Sequence, residues 1–267
     1  MSQTLQARSE MPKGANKVLD CRNIENSYSS LLDLLTGELL SVLDVGCGSG
    51  AITADIAQRV NGNAVGIDFS QHLIELAQKN YEHIPNLSFE VANINDYVSD
   101  EPFDLVIAAR TLQWVNNPAE IVSRMVGLLK KSGKVSINDY NHTKIKWSPA
   151  PPKSMLDFYE AFLLWRKDAG FDNQIADNLP SIYNNLGLAN VNIVAQHEKS
   201  VRGDEDFEAS IRIWNIVAET RGKQVVQDGY CSEELRLQAI REYDTWIRNE
   251  AESMTLYLLA VEGTKII

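Results

Sequence analysis

An α/β fold built on a parallel sheet is what this sequence predicts, on three observations. Short apolar runs alternate with helical patterns from Ser41 to Asn138. A glycine-rich turn, Gly46-Cys-Gly-Ser-Gly50, joins the first of those runs to the first helix. The run Phe103 to Ala108 is almost wholly apolar, as a strand buried on both faces should be. Strands and helices alternating at this spacing are βαβ units, and βαβ units make parallel sheets.

Each element has a local reason. Ser41 to Val45 reads as a strand ending in the glycine turn, and Ala51 to Val60 as a helix with Ile52, Ile56 and Val60 on one face. Ala64 to Ile67 is the second strand, and Ser70 can N-cap the helix Gln71 to Tyr81. Leu87 to Val91 is the third strand and Phe103 to Ala108 the fourth. Pro118 opens a helix to Leu129, Ser132-Gly133 ends it, and Lys134 to Asn138 is the fifth strand. After Tyr140 the pattern changes. An irregular, proline-bearing stretch leads to an aromatic-rich helix, Ser154 to Lys167, and a second helix, Asp177 to Leu186. Val191 to Ala195 is a strand, Phe207 to Thr220 and Glu233 to Glu252 are helical, and Thr255 to Val261 is the last strand. The expectation is a single domain over 1–267, with roughly 143–188 and 203–253 inserted as a helical lid.

Composition narrows the function class. With 44% apolar and 23% charged residues, the 267-residue chain is an ordinary globular one. No apolar run approaches the ~20 residues that cross a bilayer, and the N-terminus has no apolar core of a secretory signal. Cys21, Cys47 and Cys231 form no CxxC pair, which suggests a reducing, cytoplasmic location without disulfides or structural zinc. A net charge of −11 leaves no basic footprint for nucleic acid. The expected partner is a small molecule, with neither nucleic acid nor membrane; the oligomeric state is not legible.

The glycine turn carries the chemistry. Glycines allow positive φ and close ligand approach, and the helix that follows presents unpaired N–H groups. The turn lies at the carboxyl end of a strand, where open α/β sheets bind ligands. Asp68 ends the next strand, where a carboxylate can accept from both hydroxyls of a ribose. Together they indicate an adenosine-containing cofactor. Gly46-x-Gly48-x-x-Ala51 also fits the dinucleotide pattern, which keeps an NAD-dependent oxidoreductase open. Against it, Asp44 would sit badly beside a pyrophosphate and well near an ammonium group, and no Tyr-x-x-x-Lys pair is present.

Val42-Leu-Asp-Val-Gly-Cys-Gly-Ser-Gly50 resembles motif I of the class I S-adenosylmethionine-dependent methyltransferases, small-molecule branch. Gly66-Ile-Asp-Phe-Ser70 is similar to their second motif. Phe103-Asp-Leu-Val106 with Leu112-Gln-Trp-Val115, and Leu128-Leu-Lys-Lys-Ser-Gly-Lys134, match the approaches to strands four and five. The resemblance implies a Rossmann-like doubly wound seven-stranded sheet in the order 3-2-1-4-5-7-6, its last strand antiparallel. It implies S-adenosyl-L-methionine as cofactor, leaving as S-adenosyl-L-homocysteine. Gly46, Gly48 and Gly50 would frame its methionine and ribose, with Asp44 close by; Asp68 would hold the ribose hydroxyls and Phe69 lie along the adenine. Asn93, where the family usually has an acid, would accept from the adenine amino group, with Ile94 beside the ring and Asp96 as a substitute. Arg110 would reach the methionine carboxylate or a substrate acid, and Arg22 and Tyr28 would be N-terminal contacts.

Acceptor contacts are expected at the ends of strands four and five, from Gln113 and Trp114 and from Asp139, Tyr140, Asn141 and His142. His142 is the histidine nearest a strand's carboxyl end and the candidate general base, against a plain structural role. Trp147, Tyr159, Phe162, Trp165 and Trp214 read as core, a few of them open to lining the acceptor pocket. Arg166 with Asp172, Asn173 and Asp177 reads as a helix cap with ion pairs. O- and N-acceptors both stay open, as do protein methylation and a non-catalytic cofactor- or partner-binding module.

Overall fold

The computed structural model describes Arg8, residues 22–36 and residues 40–266. Apart from Arg8, the stretch up to Cys21 lies outside the described residues. The strands are β1 (Val42–Val45), β2 (Ala64–Asp68), β3 (Leu87–Val91), β4 (Phe103–Ala109), β5 (Leu129–Tyr140), β6 (Lys146–Ser148), β7 (Ala189–Ala195), β8 (Glu198–Val201), β9 (Ser253–Leu256) and β10 (Leu258–Thr264). The helices are α1 (Ile24–Ser27), α2 (Ala51–Arg59), α3 (Gln71–Tyr81), α4 (Pro118–Gly127), α5 (Lys153–Asp168), α6 (Ile175–Asn185), α7 (Phe207–Ile211), α8 (Ile213–Glu219), α9 (Gly222–Gln227) and α10 (Glu233–Asn249).

The chain packs as two compact units. Among the described residues, a sheet unit takes those within 16–140, 174–196 and 258–266, and a helical unit takes Arg8, 141–173 and 197–257. The segment 143–188, read from the sequence as one insertion, therefore divides. Helix α6 belongs with the sheet, packed on β10, and Tyr183 donates to the Val261 carbonyl at 3.0 Å.

The sheet unit has the order β3-β2-β1-β4-β5-β10-β7, with β10 antiparallel to both its neighbours. Counted along this sheet alone, that is 3-2-1-4-5-7-6. The all-buried β1 pairs with β2 and β4, and Asp44 lies opposite Gly66 on one side and Ile107 on the other. Its Val42 joins Ile52 and Ile56 of α2 and Ile24, Tyr28 and Leu31 of the N-terminal segment in one core. Burying each such side chain contributes about 1.5–3 kcal/mol.

Three element boundaries differ from the sequence reading. Helix α4 stops at Gly127, and β5 begins at Leu129 and absorbs Ser132 (φ 64°) and Gly133 as a register shift against β4. The single last strand is two: the chain breaks at Tyr257, giving β9 and β10. The helix over 207–220 is two helices, with α9 following as an unexpected third.

The helical unit holds the other sheet, order β6-β9-β8 and wholly antiparallel. Helices α5 and α10 pack together, and α5 buries Phe158, Tyr159, Phe162, Trp165 and Arg166.

Candidate functional site

The turn after β1 is held open by its glycines. Gly46, Gly48 and Gly50 have φ of 74°, 58° and 85°, values that cost other residues about 1–2 kcal/mol each. Space restricts two of them further. A Cβ on Gly46 would lie 2.5 Å from Thr111 Cγ2 and Oγ1, and one on Gly50 2.5 Å from Phe89 Cζ. The N–H groups of Gly46 and Cys47 both donate to the Ile67 carbonyl, at 2.8 and 3.0 Å, which fastens the turn to the end of β2.

Two acids lie beneath and beside this turn. Asp68 Oδ2 accepts the Gly48 N–H at 3.0 Å, and Oδ1 accepts the Ser70 N–H at 2.9 Å. Burial raises the Asp68 pKa, and those two N–H donors oppose the rise. Ser70 in turn caps α3, its hydroxyl accepting from Leu73 N, as the sequence predicts. Asp44 is 2% exposed and accepts the Thr53 hydroxyl at 2.7 Å. Its pKa is raised from 3.8 to about 7, first by burial and then by the charge of Asp68, with the Thr53 bond opposing.

At the ends of β2 and β3 two apolar side chains are exposed. Phe69 is 43% exposed, and Val91, paired with Asp68 in the sheet, is 45% exposed. Asn93 opens the next turn: its Oδ1 accepts Asn95 N at 3.0 Å, and its carbonyl accepts Asp96 N and Tyr97 N. Ile94 is buried beside it.

The ends of β4 and β5 form a hydrogen-bonded frame. Arg110 is buried with φ 58°; its Nε donates to the Tyr140 hydroxyl at 3.1 Å and Nη2 to the Ser27 carbonyl at 3.0 Å. Asn138 Nδ2 donates to the same carbonyl at 2.9 Å. Gln113 is buried too; its side chain donates to the Arg110 carbonyl and its N–H to Asp139 Oδ2. Trp114 is half-buried. Tyr28, expected at the cofactor, instead lies fully buried in the core with its hydroxyl 2.8 Å from Ser136 Oγ.

The sheet unit thus gathers Asp44, the three glycines, Asp68, Phe69, Asn93, Ile94, Arg110, Gln113, Trp114 and Tyr140, whereas His142 belongs to the helical unit. There the His142 N–H donates to the Asn173 carbonyl, and its own carbonyl accepts the Tyr159 hydroxyl at 2.6 Å. Burial, helped by the charge of Arg166, holds the His142 pKa well below its usual range. Sequence reasoning missed Thr53 and Thr111. The signal for Thr53 was available, since it stands one helical turn after Gly50 and so beneath the strand that carries Asp44. Among the described residues no cluster of His, Cys, Asp and Glu could hold a metal ion, and no helix is long and apolar enough to cross a membrane.

Comparison with known proteins points the same way. The family described as "Methyltransferase domain" matches residues 37–198. The malonyl-[acyl-carrier protein] O-methyltransferase of Acetivibrio thermocellus is 30% identical over 122 residues, 45% of this chain and 43% of that protein. Phosphoethanolamine N-methyltransferase 3 of Arabidopsis thaliana is 28% identical over 219 residues, 74% of this chain and 42% of that protein. The chain thus spans less than half the length of these curated relatives. In fold it is similar to a methyltransferase of Thiobacillus denitrificans solved with S-adenosyl-L-homocysteine, at 19% identity and TM-score 0.54 over 94% of this chain and 98% of that one. It is also similar to the Haemonchus contortus phosphoethanolamine N-methyltransferase 2, at 15% identity and TM-score 0.56 over 95% and 53%. A family match across more than half of the chain, on a sheet of this order with the glycine turn at its first strand, places the protein among the class I S-adenosylmethionine-dependent methyltransferases.

Proposed function

We propose that this chain transfers a methyl group from S-adenosyl-L-methionine to a small-molecule acceptor, at an oxygen or a nitrogen. The observation that supports it most is the pairing of the positive-φ glycine turn with Asp68 through the Gly48 N–H. The residues suit the cofactor chemically. Asp68 has lone pairs left on both oxygens for vicinal hydroxyls. Phe69 offers an exposed ring beside it for a purine, and Asn93 an amide at the next strand end. Asp44, poised to ionise near neutrality, complements a cationic methionine group. Arg110 lies between Ser27 and Tyr140, so its proposed part is to fix the wall of the site rather than to reach far out.

When bound, the cofactor supplies an electrophilic methyl on a sulfonium. The chain's task is to orient the acceptor and exclude water, and positioning of this kind is worth ~7–11 kcal/mol of barrier. Gln113, Trp114 and Tyr140 are the proposed acceptor-side residues of the sheet unit. Where an acceptor carries a proton to be lost, His142 is the proposed base, neutral because it is buried. The O- and N-methyltransferases among the relatives agree with either acceptor atom.

Calorimetric titration with S-adenosyl-L-methionine, S-adenosyl-L-homocysteine and NAD separately tests the reading. Micromolar binding of both sulfur ligands and none of NAD is expected. NAD alone would indicate an oxidoreductase, and no binding of any of them a non-catalytic module.

A further inference from the structure

Thr53 is a polar residue inside α2 and is 0% exposed, in a place where the similar shape of valine would be the apolar choice. Its hydroxyl carries one proton and donates it to Asp44 Oδ2 at 2.7 Å. Among the described residues that is the one hydrogen bond on the Asp44 carboxylate, and Asp44 makes no ion pair there. The backbone of the turn points elsewhere. The N–H groups of Gly46 and Cys47 go to the Ile67 carbonyl, that of Gly48 to Asp68 and that of Gly50 to the Cys47 carbonyl.

A carboxylate that is 2% exposed and meets a single neutral donor is poorly compensated once it ionises. The acids that face it add nothing to that compensation. Asp68, at the end of β2, raises the Asp44 pKa further after burial has done so, and the Thr53 hydroxyl opposes both. The Cys47 thiol in the turn and the Tyr28 hydroxyl of the N-terminal segment stay protonated, first because they are buried and then with the charge of Asp44 adding to it. Thr53 is therefore the side chain that supports a charge on Asp44, and a cationic ligand group would add to that support.

We propose that Thr53 is a positioning residue of the cofactor site: by donating to Asp44 Oδ2 it fixes the carboxylate on β1 and leaves Oδ1 for the ammonium of the cofactor's methionine portion. The cofactor half of the proposal rests on the methyltransferase reading; the coupling of Thr53 to Asp44 does not. A hydrogen bond to a charged acceptor is roughly twice as strong as one to a neutral acceptor. Removing the hydroxyl thus disfavours the ionised form more than the neutral one, and ionisation moves to higher pH. At a given pH fewer molecules then carry the charge that an ammonium needs.

The test compares Thr53→Val, which keeps the branched shape, with Thr53→Ser, which keeps the hydroxyl. Carboxyl-carbon NMR of the full chain follows the titration of Asp44, with Asp44→Asn assigning its signal. That titration should move up by about one pH unit in Thr53→Val and return close to the parent in Thr53→Ser. Calorimetry then uses S-adenosyl-L-homocysteine, which carries the ammonium, and 5′-methylthioadenosine, which does not. From a parent pKa of about 7, Thr53→Val should weaken S-adenosyl-L-homocysteine about tenfold at pH 6, about fivefold at pH 7 and about twofold at pH 8. Methylthioadenosine should bind both proteins alike. If Thr53→Val does not fold, Thr53→Ala removes the hydroxyl with less bulk and is read in the same way. An Asp44 titration that does not move, both ligands weakened alike, a loss equal at every pH, or no rescue by Thr53→Ser would overturn the proposal. A shifted titration in a protein whose parent binds neither ligand would overturn the methyltransferase reading and the cofactor half with it, and leave the coupling of Thr53 to Asp44 standing.

Discussion

The Gly48 N–H donates to Asp68 Oδ2 at 3.0 Å, so the acid proposed for the ribose also holds the shape of the glycine turn. Its other oxygen is tied to Ser70, the cap of α3. One carboxylate thus aligns the turn, the end of β2 and a helix start. Asp68→Ala should weaken S-adenosyl-L-methionine binding about a hundredfold and lower stability by about 1–3 kcal/mol, since hydrogen bonds to a charged group are lost in both states. Titration calorimetry and urea unfolding read the two effects separately. Unchanged affinity would remove Asp68 from the cofactor site.

Asp44 makes the same site sensitive to pH. Burial lifts its pKa to about 7, above the unfolded value of 3.8, so its contribution to stability is fully present below about pH 4 and is lost as pH rises to about 7. The loss amounts to about 4 kcal/mol, and Asp44→Asn should flatten that part of the stability–pH curve. A cationic ligand group favours the ionised form. Affinity for S-adenosyl-L-methionine should therefore rise up to about tenfold per pH unit toward pH 7 and level off above it, with proton release. Calorimetry in two buffers of different ionisation enthalpy measures that proton directly.

Gly46 is restricted by both its φ and its neighbour. Gly46→Ala should destabilise by about 2–4 kcal/mol, part from overpacking against Thr111 and part from the left-handed backbone. Thr111→Ala removes both atoms at 2.5 Å, so the double variant should recover about 1–2 kcal/mol of that loss. Additive effects of the two substitutions would show that backbone strain alone accounts for the glycine.

What was legible in the sequence was local. The turn, Asp44 and Asp68 lie within 25 residues, and each glycine signals its own conformation. The order of the seven-stranded sheet came from a resemblance rather than from any residue pattern, because pairing across it is nonlocal. The three-stranded sheet was invisible for the same reason. Lys146 pairs with Thr255 and Lys199 with the same residue, in strands of three and four residues whose apolar pattern is too short to read. The break at Tyr257 hides inside one continuous apolar run. Arg110 gives no hint of its positive φ, since nothing in an arginine favours it.

That arginine ties the N-terminal segment to the sheet. Its bond to the Ser27 carbonyl, shared with Asn138, anchors α1 over β5. Arg110→Ala should raise hydrogen exchange in residues 24–33 about tenfold to a hundredfold, leaving β1 and β4 protected. Exchange rising evenly through the sheet unit would mean that the residue supports the whole core rather than this segment.

His142 separates a base from a structural histidine. Its main-chain bonds to Asn173 and Tyr159 do not depend on the imidazole, so His142→Gln should keep the local backbone. Burial and the charge of Arg166 keep the ring neutral throughout the ordinary working range of pH, so it should add no inflection to a rate–pH profile between 6 and 8. As the proposed base His142 should be missed: kcat within about threefold of the parent in His142→Gln would leave it a structural role, whereas an acceptor that must lose a proton should show a ~100-fold or greater loss. Such a loss, restored by raising the pH, would assign the proton transfer to His142 and an acceptor that binds in its protonated form.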